Sequence, residues 1–139
     1  MKRYLLDNAV VVAYMKGRAG AMRLVQPWIV ADEATTSLVV YGEAIEYIRG
    51  EPDFSDRRAT LRIVLQQVTP LRLSYAILER YADLRRAMRP PHGPGLIGDV
   101  DTLIAATALE HKLTVVTLDG DFMRVPGLQA MHLDRAALM

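Results

Sequence analysis

Between Gly98 and Phe122 the sequence runs a nearly apolar helix straight into a short β-branched strand, with an acidic cluster at each end. Gly98-Asp99 reads as a helix start, where a short acidic side chain can accept backbone N–H bonds. Val100 to His111 is almost wholly apolar or small, the composition of a helix buried nearly all round. Lys112 closes it at the end where a cation suits the helix dipole. Thr114-Val115-Val116-Thr117 then reads as a buried strand, and Asp119-Gly120-Asp121 follows at its carboxyl end. In open α/β sheets, sites form outside the carboxyl ends of the strands. What matters next is whether other segments deliver acids to the same place.

Tyr4-Leu5-Leu6 predicts a first strand ending at Asp7, followed by a helix over Asn8 to Met15. A second helix is expected over Ala19 to Val25, stopped by Pro27, with an irregular stretch or brief strand from Trp28 to Ala34. Tyr41, Ala44, Ile45 and Ile48 recur at helical spacing after Thr35-Thr36-Ser37, and Gly50-Glu51-Pro52 ends that helix. Asp56 to Gln67 predicts another helix and Val68 to Leu73 a strand. Ser74 caps a helix through Tyr75, Leu78, Tyr81 and Met88. Pro90 to Gly95 is a loop rich in breakers, and Leu128 to Met131 is the expected last strand. Helices alternating with short apolar runs argue for a mostly parallel sheet of four to five short strands flanked by helices. At 139 residues the chain is read as one domain, residues 1–139.

Four acids stand at element ends in this pattern: Asp7, Glu43, Asp101 and Asp119. Crowded together without a counter-charge they would repel, by roughly 3 kcal/mol per pair about 5 Å apart at an effective dielectric of ~20. A bound cation or protonation relieves that. An oxygen-only donor set suits a hard ion, Mg²⁺ or Mn²⁺, rather than zinc. On this view Asp7→Ala should stabilise the metal-free protein. Each acid taken singly also has an ordinary role: a strand-ending turn for Asp7, a solvated helix position for Glu43, a cap for Asp99, a dipole partner for Asp101, a turn dipeptide for Asp119-Gly120. Their joint placement is what points to a site.

The remaining features are thinner. There is no cysteine, which excludes thiol catalysis, disulfides and cysteine-ligated zinc. Net charge is only +1, so nucleic-acid binding would rest on local patches. The start Met-Lys-Arg-Tyr-Leu-Leu-Asp shows no signal peptide, and no apolar run approaches a membrane span; a cytoplasmic location is the expectation. His92, His111 and His132 show no ligand spacing. Arg85, Arg86 and Arg89, and also Arg18 and Arg23, could meet phosphates or simply be solvated.

The run Asp101-Thr102-Leu103-Ile104-Ala105-Ala106-Thr107-Ala108-Leu109-Glu110-His111, with Leu113 to Phe122, resembles the PIN-domain family, and within it the VapC-type toxins of toxin–antitoxin pairs. Arg124 to Leu128, Tyr4-Leu5-Leu6-Asp7 and Tyr41-Gly42-Glu43 extend the likeness over nearly the whole chain. The resemblance implies a PIN-like three-layer α/β sandwich and a Mg²⁺- or Mn²⁺-dependent endoribonuclease that hydrolyses phosphodiester bonds with a metal-activated water. Asp7, Glu43, Asp101 and Asp119 fall on the family's acidic, metal-holding positions, and Asp121 on a further position that is often acidic. Asp99, Asn8 and Thr117 are additional candidates for supporting roles. The partners implied are RNA, a small antitoxin and a second copy in a homodimer, with no membrane; Val10–Met15 and Met22–Trp28 could supply the apolar antitoxin groove or equally be plain core. One departure stands out: the family usually follows its first Asp with a small hydroxyl residue and then a polar one, whereas this chain has Asn8-Ala9. Two alternatives remain at this point: a catalytically inactive PIN-like scaffold, and a phosphorelay receiver-like domain, which would need a lysine where this chain has Thr117-Leu118-Asp119.

Overall fold

A computed structural model describes residues 1–139. Its centre is a four-stranded sheet in the order β2-β1-β3-β4, formed by β1 (Tyr4–Leu6), β2 (Ala34–Thr35), β3 (Thr114–Thr117) and β4 (Ala130–His132). Every pairing is parallel. Six helices flank it: α1 (Asn8–Met15), α2 (Ala19–Val30), α3 (Leu38–Ile48), α4 (Phe54–Val68), α5 (Tyr75–Met88) and α6 (Asp99–His111). This is the α/β sandwich that the alternation of elements predicts. Leu5, Leu6, Val115 and Val116 are fully buried, as strands covered on both faces must be. Ile104 and Ala105 to Ala108 (with Thr107 among them) bury α6, so that helix is central, as its composition requires. None of the helices is long and apolar enough to cross a membrane.

One register positions the site. Leu6 pairs with Val116 across β1 and β3. Both strands point the same way, so Asp7 and Thr117 emerge side by side although 110 residues separate them. The Asp7 amide donates to the Val116 carbonyl at 3.0 Å, which fixes the exit of the chain.

Three expectations need correction. Pro27 does not stop α2, which continues to Val30. The proline forfeits one i→i−4 bond, but the turn beyond it is held from outside: Trp28 stacks on Tyr4 with ring centroids 3.9 Å apart, and its carbonyl accepts from the Glu33 amide. Val68 to Leu73 is not a strand. Thr69 ends α4 in the left-handed region (φ 50°) and Pro70 follows, leaving only a parallel bridge between Leu71 and Ser37. The last strand starts later than expected, at Ala130, because Gly127 turns the chain at φ 76° and Leu128 still bonds back to Val125.

Candidate active site

Four carboxylates line one open bowl of about 460 Å³: Asp7, Glu43, Asp101 and Asp119. Each arrives from a different element. Asp7 leaves the end of β1 and caps α1, Glu43 projects from the second turn of α3, Asp101 from the first turn of α6, and Asp119 follows β3. The four acids singled out in the sequence are therefore brought together, at the carboxyl edge of the sheet.

Asp7 is the most constrained. It is buried; one oxygen accepts from the Asn8 amide at 2.8 Å and the other from the Thr117 hydroxyl at 2.7 Å. Thr117 accepts in turn from the Asp119 amide at 3.0 Å, and Asp119 accepts from the Asp121 amide at 2.9 Å. A single relay thus sets two of the four acids. It also answers the departure at Asn8-Ala9: the hydroxyl that orients the first Asp comes from β3 rather than from the next residue. Burial and Asp119 still disfavour the Asp7 carboxylate, the ground for expecting Asp7→Ala to stabilise the protein, but these hydrogen bonds oppose that gain and we expect a net loss of stability instead. That change removes a helix cap, worth about 0.5–2 kcal/mol, and leaves the buried Thr117 hydroxyl without its acceptor.

Glu43 and Asp101 carry the electrostatic strain. Burial, then the charges of Asp7 and Asp101, push the Glu43 carboxyl up to about 7. Burial, then Asp7 and Asp119, push Asp101 up to about 6. Asp7 is also raised, by burial, although its two hydrogen bonds pull the other way. No lysine or arginine pairs with any of the four. Glu43 Oε1 and Asn8 Oδ1 are buried without a hydrogen-bond partner. Uncompensated charge, an orphaned carboxylate oxygen and an all-oxygen donor set fit a hard divalent cation. No three of the carboxylates approach closely enough to ligate one ion directly. The arrangement therefore suits an ion that keeps several waters, which is the habit of Mg²⁺.

The other candidates separate. Asp99 lies outside the bowl: two helix residues before Asp101, it projects from nearly the opposite side of α6 and meets Arg85 at 2.7 Å. It does not cap the helix either, since Gly98 holds that position. Asp121 is exposed, with its carboxylate 3.5 Å from Arg124. Asn8 lines the bowl and Thr117 orients Asp7. Arg85 is occupied by Asp99, while Arg18 lines a groove next to the bowl. Of the two apolar stretches, Val10, Val11, Val12 and Met15 are core, with Val12 and Ala13 at the edge of the groove beside the bowl, whereas within Met22 to Trp28 only Val25 is buried. Arg135, which the sequence reading passed over, also lines the bowl. It belongs to no motif, and only the fold reveals it.

A sequence profile described as PIN domain matches residues 4–128. Among solved structures, the chain is similar to VapBC2 from Rickettsia felis bound to a DNA fragment from its promoter, at 22% identity over 94% of this chain and 98% of that one (TM-score 0.83). It is similar to DNA-bound VapBC from Salmonella typhimurium at 17% identity over 95% and 98% (TM-score 0.83), and to FitAcB from Neisseria gonorrhoeae at 21% over 93% and 96% (TM-score 0.74). No curated protein gives a significant sequence match.

Proposed function

The chain belongs to the PIN-domain family, and from that premise we propose that it is a divalent-metal-dependent endoribonuclease, the VapC-type toxin of a toxin–antitoxin pair. The observation that carries the reading is the bowl itself: four carboxylates from four elements, no cation paired to any of them, and Glu43 Oε1 buried without a partner. Family membership leaves the receiver-like alternative without support.

Asp7, Glu43, Asp101 and Asp119 would hold Mg²⁺ or Mn²⁺, directly or through water. When bound, the ion supplies an activated water and charge stabilisation at a phosphodiester. The protein's own part is orientation. Thr117 and the Asn8 amide each hold one oxygen of Asp7, which lines the bowl and keeps further acceptor capacity there. Glu43, pushed up to about 7 by burial and by Asp7 and Asp101 in the absence of metal, is the carboxylate whose charge a bound cation would relieve most. The partners in this reading are RNA, a small antitoxin, as in the complexes it resembles, and a second copy of the chain.

The test is cleavage of single-stranded RNA with Mn²⁺, Mg²⁺ or chelator. Direct hydrolysis leaves 5′-phosphate and 3′-hydroxyl ends. Undiminished cleavage in chelator, or 2′,3′-cyclic phosphate products, would sink the proposal. Thr117→Val separates orientation from ligation. It removes the donor to Asp7 and the acceptor for the Asp119 amide, so we expect a stability loss of about 1–2 kcal/mol. Mn²⁺ affinity, read by calorimetric titration, should fall roughly 10- to 100-fold.

A further inference from the structure

We infer that Arg135 is the phosphate-positioning residue of this site, held at the lining of the carboxylate bowl by a strap clamped at both ends. This rests on the nuclease reading above and goes beyond it, in naming the group that admits a polyanion to a negatively charged cavity.

Arg135 is the only cationic side chain lining the bowl. It makes no ion pair with any carboxylate. It opens a 3-10 turn, Arg135–Leu138, whose position is fixed on both sides. Just before it, the Leu133 amide donates to the Thr117 carbonyl at 2.8 Å, tying the strap to the end of β3. Just after it, Leu138 is buried and the Gly20 amide donates to the Met139 carbonyl at 2.7 Å. Gly20 is glycine for a steric reason: a Cβ there would collide with the carbonyl oxygens of Ala137 and Met139. The strap can lie against α2 only because residue 20 has no side chain.

Arg135 also lines a second cavity of about 210 Å³, and Asn8, Ala9 and Leu118 are shared between the two. That groove holds Arg18, which makes no ion pair, and Lys16, which is paired with Glu51 at 3.0 Å. Negative and positive linings therefore meet at Arg135. A phosphodiester chain laid across that boundary places one phosphate by the acids and the next by Arg135 and Arg18. A guanidinium grips a phosphate through two parallel N–H donors, which fixes orientation as well as position. Single-stranded RNA is the ligand this arrangement takes, with its path leading from the bowl over Arg135 towards Arg18.

The decisive measurement is binding of a single-stranded RNA oligonucleotide in chelator, by fluorescence anisotropy at several salt concentrations. Arg135→Ala should weaken binding roughly tenfold, the loss of one charge-assisted contact. It should also reduce the slope of log K against log salt by about 0.7, one phosphate contact on a single strand. Arg135→Lys should restore the slope but only part of the affinity. Arg86→Ala, an exposed arginine on α5, is the control and should change neither. Gly20→Ala should reproduce the loss with Arg135 intact, circular dichroism confirming that the fold persists. An unchanged slope and affinity in Arg135→Ala overturns the inference. RNA that Mn²⁺ fails to cut, while binding still depends on Arg135, sinks the nuclease reading and leaves the phosphate contact standing. A wild-type protein that does not bind RNA sinks both.

Discussion

Asp101→Asn should lower Mn²⁺-dependent RNA cleavage by at least about 100-fold, the scale on which losing one preorganised charged group acts. The substitution keeps the shape and removes one negative charge. Asp101 has no salt-bridge partner whose loss would unsettle α6, so the helix should fold as before. Its charge is opposed by burial and by Asp7 and Asp119. Removing it should therefore raise the melting temperature of the metal-free protein at pH 8, while cleavage disappears. Activity and stability moving in opposite directions is the signature of a group kept for chemistry at the expense of the fold. Cleavage at the wild-type rate in Asp101→Asn would remove this residue from the proposed machinery.

A second large effect is expected in the pH dependence of stability. Glu43 and Asp101 have folded-state values of about 7 and about 6, above their ordinary values of 4.5 and 3.8. Both are raised, so the folded state holds protons that the unfolded chain has already released. Their favourable contribution is complete below about pH 4 and is lost as pH rises through about 7. Both residues are only partly buried, so the shifts are discounted for solvent screening to roughly 1 kcal/mol each. The metal-free protein should thus lose about 2 kcal/mol, or roughly 6–8 °C in Tm, between about pH 4 and pH 8. Paired surface carboxylates elsewhere oppose this only at the acid end. Divalent ion should reverse the loss: at a concentration 100 times its Kd, Mn²⁺ adds about 2.7 kcal/mol, and it should add less at pH 5, where protons compete. Glu43→Gln should flatten the metal-free profile, because it removes the carboxylate whose Oε1 has no partner. A melting temperature that climbs steadily from pH 5 to pH 8 without metal would contradict the crowding that the site depends on.

The two effects share an origin in how β1 and β3 pair. β1 and β3 are short and apolar, and each is recognisable from composition alone because a parallel strand covered on both faces must be so. Asp7 and Asp119 are likewise visible, as acids that end such runs. Their relation to one another is not, since it is set by the Leu6–Val116 register. A one-residue slip would turn Thr117 to the other face and leave Asp7 without its donor. Asp99 shows the converse. By sequence it reads as a helix cap with a possible supporting role, but Gly98 takes the cap position and the angle of 100° per residue sends Asp99 outward to Arg85.

Local chemistry in the sequence was sufficient for the helices whose periodicity and caps agree, such as α3 after Ser37 and α5 after Ser74, and for the four acids at element ends. It failed where distant contacts outweighed local preference. Trp28 stacked on Tyr4 carries α2 past Pro27, and a left-handed Thr69 breaks a run that reads as a strand. Only the tertiary structure could set the Thr117 hydroxyl against Asp7, leave Glu43 Oε1 unpaired, and place Arg135 at the lining of the bowl through a strap seated on Gly20. Sequence encodes burial and backbone preference residue by residue, whereas charge placement depends on which distant residues pack together.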